Sequence, residues 1–173
     1  MKSVFFMALA MCTMLVSQAQ NEDKSKRKSP PAVAKATIAS GATVTIDYSQ
    51  PSVKGRVIGE SLEPKKGEVW RAGANESTIF EVDKDVTING KKLPAGKYSF
   101  FTLDNGDNWT LIFNKVWKDW GAYKYKESED ALRVTVQPDR KHKPFTETLT
   151  YKVEKNGAVS LLWGDLKVGF TVK

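Results

Sequence analysis

The sequence predicts an all-β domain, an antiparallel β-sandwich of about nine or ten short strands with one long aromatic loop. Jelly-roll-like connections are one form that such a sandwich takes. Three observations carry the prediction. From Ala32 onward apolar and polar residues alternate with a period of two rather than 3.6, the pattern of half-buried strands. Turn-forming clusters punctuate those runs at Asn89-Gly90, at 104–108 and at 154–157. One stretch alone, Lys115 to Ala131, lacks the alternation.

The first element precedes the domain. Lys2 is followed by an apolar and small-residue run from Val4 to Val16 and then by Ser17-Gln18-Ala19, the form of a secretory signal peptide. Cleavage is expected after Ala19, so residues 1–19 are removed and the mature chain begins at Gln20. The run is shorter than the roughly 20 residues a bilayer crossing needs, and no later segment is apolar enough, so no transmembrane anchor is expected. A lipoprotein signal at Leu9 to Cys12 is the rival reading; Met11 is too bulky for the position before a lipidated cysteine. The expected location is exported, periplasmic or extracellular. Cys12, the one cysteine, leaves with the signal, so the mature chain has no disulfide and lives on its own core. One of the 27 Lys and Arg, Lys2, leaves as well, so 26 cations face 20 carboxylates, a balance of +6. In an exported protein that basicity points to a hydrated surface rather than to nucleic acid.

Residues 20–31 are polar and carry Lys24, Lys26, Arg27 and Lys28, and they read as a disordered basic tether ahead of a single domain at 32–173. Within the domain, Thr43, Thr45 and Asp47 alternate with Val44, Ile46 and Tyr48, and Thr78, Phe80 and Val82 alternate with Ile79, Glu81 and Asp83. Val86-Thr87-Ile88, Asn89-Gly90 and Lys91-Lys92-Leu93 spell a hairpin, because Asn-Gly tolerates the positive φ of a tight turn. KYSFFTL and WTLIFN flank the 104–108 turn, and FTETLTYKVE and AVSLLWG flank 154–157. Further strands are read at Leu132 to Gln137 and Leu166 to Val172. Lys115 to Ala131 is read as a long loop with at most one helical turn; loops of that length tend to be functional.

Four ordered motifs carry a family resemblance: TVTIDYSQPSVKGR at 43–56, GEVWRAGANES at 67–77, INGKKLPAGKYSFF at 88–101 and DWGAYKY at 119–125 with Asp130 and Arg133 after it. The chain resembles the bacterial family known as domain of unknown function 2911, from about Ser29 to the C-terminus. The resemblance implies export by bacteria with two-membrane envelopes and implies no agreed activity. Where that family tends to have an apolar-Pro-aromatic-Gly step, this chain has Glu63-Pro64-Lys65-Lys66-Gly67.

Candidate chemistry is sparse. The single histidine, His142, sits among Arg140, Lys141 and Lys143, no Gly-x-Ser-x-Gly elbow exists, and the mature chain has no thiol, so serine and cysteine hydrolases are disfavoured. Zinc needs clustered His and Cys, and the oxygens of Asp104, Asn105, Asp107 and Asn108 lack calcium-loop spacing and read as a plain turn; no metal or cofactor is expected. The sequons at Asn75 and Asn108 carry no meaning in a bacterial envelope. Glu76 is a weak candidate acid/base, in a run that sets Trp70, Arg71, Asn75 and Glu76 within seven residues. The plain alternative is that Trp70 fills the core while Arg71 pairs with Glu76 or another acid. A second cluster places Trp117, Trp120, Tyr123 and Tyr125 among lysines, where rings suit sugar faces or protein partners unless the loop merely covers the sandwich. The leading expectation is a non-catalytic, exported binding module whose site unites Trp70, Arg71, Asn75 and Glu76 with Trp117, Trp120, Tyr123 and Tyr125. A small molecule or glycan is the expected ligand, with an envelope protein as a second kind of partner. The alternatives are an envelope hydrolase, glycosidase-like, using Glu76, and a structural module whose aromatic loop is an interface.

Overall fold

A computed structural model of the chain describes residues 23–173. The signal peptide read at 1–19 and its cleavage point lie outside the described residues. The described part is an antiparallel β-sandwich without an α-helix. Its strands are β1 (Pro31–Thr37), β2 (Thr43–Ser49), β3 (Val69–Trp70), β4 (Thr78–Val82), β5 (Val86–Ile88) and β6 (Lys91–Leu93) in the first half. The second half adds β7 (Gly96–Asp104), β8 (Trp109–Asn114), β9 (Asp130–Val136), β10 (Thr146–Val153), β11 (Ala158–Gly164) and β12 (Leu166–Thr171). That is twelve among the described residues where the sequence suggests nine or ten. The shortest, β3, β5 and β6, have two or three residues each, too few to display an alternation of their own.

One layer runs β1-β2-β4-β7-β8-β9, with β3 pairing the far end of β7 at Val69 opposite Leu103 and Trp70 opposite Thr102. The other runs β10-β11-β12 and is extended by the β5–β6 hairpin. Thr87 and Lys173 exchange both backbone hydrogen bonds at 2.7 and 3.0 Å, which fixes the hairpin to the edge of β12. The expected Asn89-Gly90 turn is present with φ of 46° and 84°, and the Asn89 side chain accepts from the Thr171 amide at 2.8 Å.

The inward faces meet in an aromatic centre. Phe80, Phe100 and Phe113 of the first layer surround Phe170 of the second, with ring centroids 5.0 to 6.3 Å apart. Tyr48 and Tyr151 cross the layers edge to face at 4.7 Å. Trp109 and Trp163 are fully buried. Part of the outward face of the larger sheet is covered as well: Phe101 and its cross-strand partner Ile112 are buried outside the central cluster. Tyr125, from the long loop, stacks edge to face on Phe101 at 5.3 Å. That loop holds a single 3-10 turn, Glu127–Glu129, and leads into β9.

Candidate functional site

The site grows from the connection between β3 and β4. Ala72 and Asn75 both take positive φ, 51° and 59°, a conformation that costs an alanine about 1 kcal/mol or more. The Ala72 carbonyl is held by two donors, Thr78 Oγ1 at 3.0 Å and Tyr151 Oη at 2.7 Å. Trp70 Nε1 donates to the Gly73 carbonyl at 3.1 Å. A Cβ on Gly73 would sit 2.7 Å from Thr78 Oγ1, so glycine is required for the chain to fold back this tightly. Arg71 Nη1 donates to the Asn75 carbonyl at 3.2 Å, and Asn75 Nδ2 donates to Ser29 O and to Ser49 Oγ at 3.0 and 3.2 Å.

The long aromatic loop docks on this connection through main-chain bonds. Ser77 N donates to Asp119 O at 3.0 Å and Gly121 N to Asn75 O at 3.1 Å, with Glu76 and Trp120 opposite each other in an antiparallel bridge. Gly121 has φ of 68°, and a Cβ there would lie 2.7 Å from Arg71 Nη1. Glycine thus permits both the turn and the close approach of the guanidinium. Two segments far apart in sequence share one rim.

The eight expected site residues do not share one cavity. Trp70, Arg71 and Tyr123 line a cavity of about 240 Å³ together with Glu63, Glu68 and Ala122. Trp70 is buried, Tyr123 is 84% exposed, and the buried Nε of Arg71 has no protein acceptor. Glu76 faces a neighbouring recess of about 180 Å³, where its carboxylate accepts from Lys24 Nζ at 3.0 Å and from Arg27 Nη1 at 3.0 and 2.9 Å. Trp120 stands beside it with Arg27 5.8 Å from its ring centroid. The pairing of Arg71 with Glu76, offered as the plain alternative, is therefore not made. The N-terminal cations outcompete Arg71, whose guanidinium is turned toward the Asn75 carbonyl. Partial burial by itself pushes the Glu76 carboxyl up, but the hydrogen bonds from Lys24, its own amide and Arg27 outweigh it and hold the pKa down at about 2.

Trp117 and Tyr125 serve elsewhere. Trp117 is half-buried between Lys97 and Lys118, whose Nζ atoms lie 5.3 and 4.8 Å from its centroid. Tyr125 donates to Asp130 Oδ2 at 2.7 Å and accepts from Arg133 Nη1 at 2.9 Å, and burial followed by the hydrogen bond to Asp130 pushes its phenol up. This knot explains Asp130 and Arg133 as anchors of the loop. The 104–108 turn is tied by Asp104, which accepts from Gly106 N and Arg140 Nη2, both at 2.8 Å. Among the described residues no three His, Cys, Asp or Glu gather as a metal site would require.

Sequence reasoning missed Glu63, Glu68, Lys24 and Arg27. Glu63 lies in the step where the chain departs from the family pattern, and that departure was the available signal. Lys24 to Ser29, within the stretch read as a basic tether, forms a 3-10 turn at Lys24–Lys26 and lies over the rim, where Glu76 and Asn75 supply partners that composition cannot reveal.

Fold and rim together define a β-sandwich module with a shallow cleft between two loops. The chain belongs to the family described as protein of unknown function (DUF2911), whose model matches residues 29–172. No curated protein and no solved structure matches it.

Proposed function

We propose that this is an exported, non-catalytic binding module that takes a small polar ligand of about the size of one sugar ring in the cleft of Trp70, Arg71 and Tyr123. Export rests on the signal-like segment at 1–19. The observation that carries the binding reading is the cleft itself: its walls come from two segments tied together by main-chain bonds, and its lining combines Arg71, Glu63 and Glu68 with the Tyr123 ring. At about 240 Å³ it lies below the usual range of drug-sized sites, roughly 300–1,000 Å³, which limits the ligand to a small one. The exposed Tyr123 ring offers a face for C–H groups, while Glu63 and Glu68 accept from hydroxyls and Arg71 donates. Glu76 stays ionised at neutral pH and is engaged by two cations, which favours binding over hydrolysis with Glu76 as general acid.

The test is a titration of the full chain with a panel of neutral and amino monosaccharides, followed through the Tyr123 ring resonances. At least one sugar is expected to bind saturably. Tyr123→Ala and Glu68→Gln, both at exposed positions, are expected to weaken it about ten-fold or more. A panel that leaves the Tyr123 signals unmoved, or binding indifferent to both substitutions, contradicts the reading.

A further inference from the structure

The recess beside Glu76 is a separate place with a separate chemistry. Its occupant is the chain's own N-terminal segment, held by groups 46 to 52 residues away. Arg27 places one guanidinium nitrogen between both Glu76 oxygens and faces the Trp120 ring, and its side chain is only 15% exposed, whereas that of Lys26, one residue earlier, is 83% exposed. Main-chain groups are read too: Asn75 Nδ2 donates to Ser29 O, and Gln50 N donates to Pro30 O at 2.9 Å. A carboxylate, an indole face and donors to successive peptide carbonyls are what recognition of an arginine-bearing peptide requires.

We propose that Glu76, Trp120 and Asn75 form a recognition site for a guanidinium-bearing basic peptide, closed in cis by Lys24 to Ser29 and open to a competing peptide from another protein. Two observations favour a displaceable occupant over a permanent part of the fold. The turn at Lys24–Lys26 buries no residue, and the segment's ion pairs end on a Glu76 carboxylate that is 39% exposed, where such pairs are individually weak. Apart from Lys24 and Arg27, the charged residues lining the recess are Asp47 and Glu76, both anionic. When the segment leaves, only another cation matches what remains.

The probe is a synthetic peptide of sequence KSKRKSP, blocked at both ends, added to the full chain while the Trp120 indole N–H signal is followed; Trp120→Phe identifies that signal. A saturable shift is expected in the unaltered chain, with a Kd roughly ten-fold lower in Arg27→Ala, where the internal competitor is weakened. Lys24→Ala provides a second weakened segment should Arg27→Ala be poorly behaved. The shift is expected to disappear with Glu76→Gln and with a peptide whose arginine is replaced by alanine. No shift at millimolar peptide, equal affinity in the unaltered chain and both weakened variants, or a shift that survives Glu76→Gln overturns the proposal. None of these outcomes depends on Tyr123 or Glu68, so failure of this test is distinguishable from failure of the sugar titration.

Discussion

Glu76 shows how one side chain's role depends on what reaches it. In sequence it sits five residues from Arg71 and suggests an acid/base pair; in the fold it is a clamp for Lys24 and Arg27. Its carboxyl is lowered from 4.5 to about 2, so the stability it contributes is present in full above pH 4.5 and is lost as the pH falls through about 2. The side chain is 39% exposed, and solvent screening keeps that contribution small, at most about 1 kcal/mol. Glu76→Gln is therefore expected to cost no more than about 1 kcal/mol at neutral pH, with the difference from the unaltered chain shrinking as the pH approaches 2. Urea unfolding of both proteins across that range checks this, and a difference independent of pH counts against the clamp.

At the scale of elements, the Asn89-Gly90 hairpin was fully legible, because its signal is local: two residues that accept positive φ between two short apolar-ended runs. Its docking was not legible, since nothing in 86–93 announces that Asn89 will also accept from Thr171, 82 residues away. Asn89→Ala is expected to destabilise the protein by about 1–2 kcal/mol, combining the positive-φ cost with an amide left without its acceptor. Asn89→Gly restores the backbone freedom but not the acceptor, so its cost should be smaller. Equal unfolding midpoints for the two variants would show that the backbone conformation there is immaterial. The long loop was legible as a loop because alternation fails between Lys115 and Ala131. The division of labour among its rings was not, because Tyr125 turns down onto Phe101 while Tyr123, two residues earlier, stands in solvent. That choice is made by Asp130 and Arg133, which anchor one phenol and not the other.

For the whole molecule, period-two patterning was enough to specify a two-layer sandwich, and in each alternating run one face, such as Val44 and Ile46 or Phe80 and Val82, is the buried one. Which strand ends and loops would meet at the rim was beyond it, because those meetings are set by backbone hydrogen bonds that leave no mark in side-chain pattern. The same bonds bring the 70–77 connection and the 117–125 loop together, and both proposed sites depend on them. Amide hydrogen exchange on the unliganded chain tests this most directly. The Ser77 and Gly121 amides, bonded to Asp119 O and Asn75 O, should exchange far more slowly than solvent-facing loop amides such as that of Lys118. Exchange of both at the rate of an open loop would mean that the two segments do not meet, and the account of the rim would fail with them.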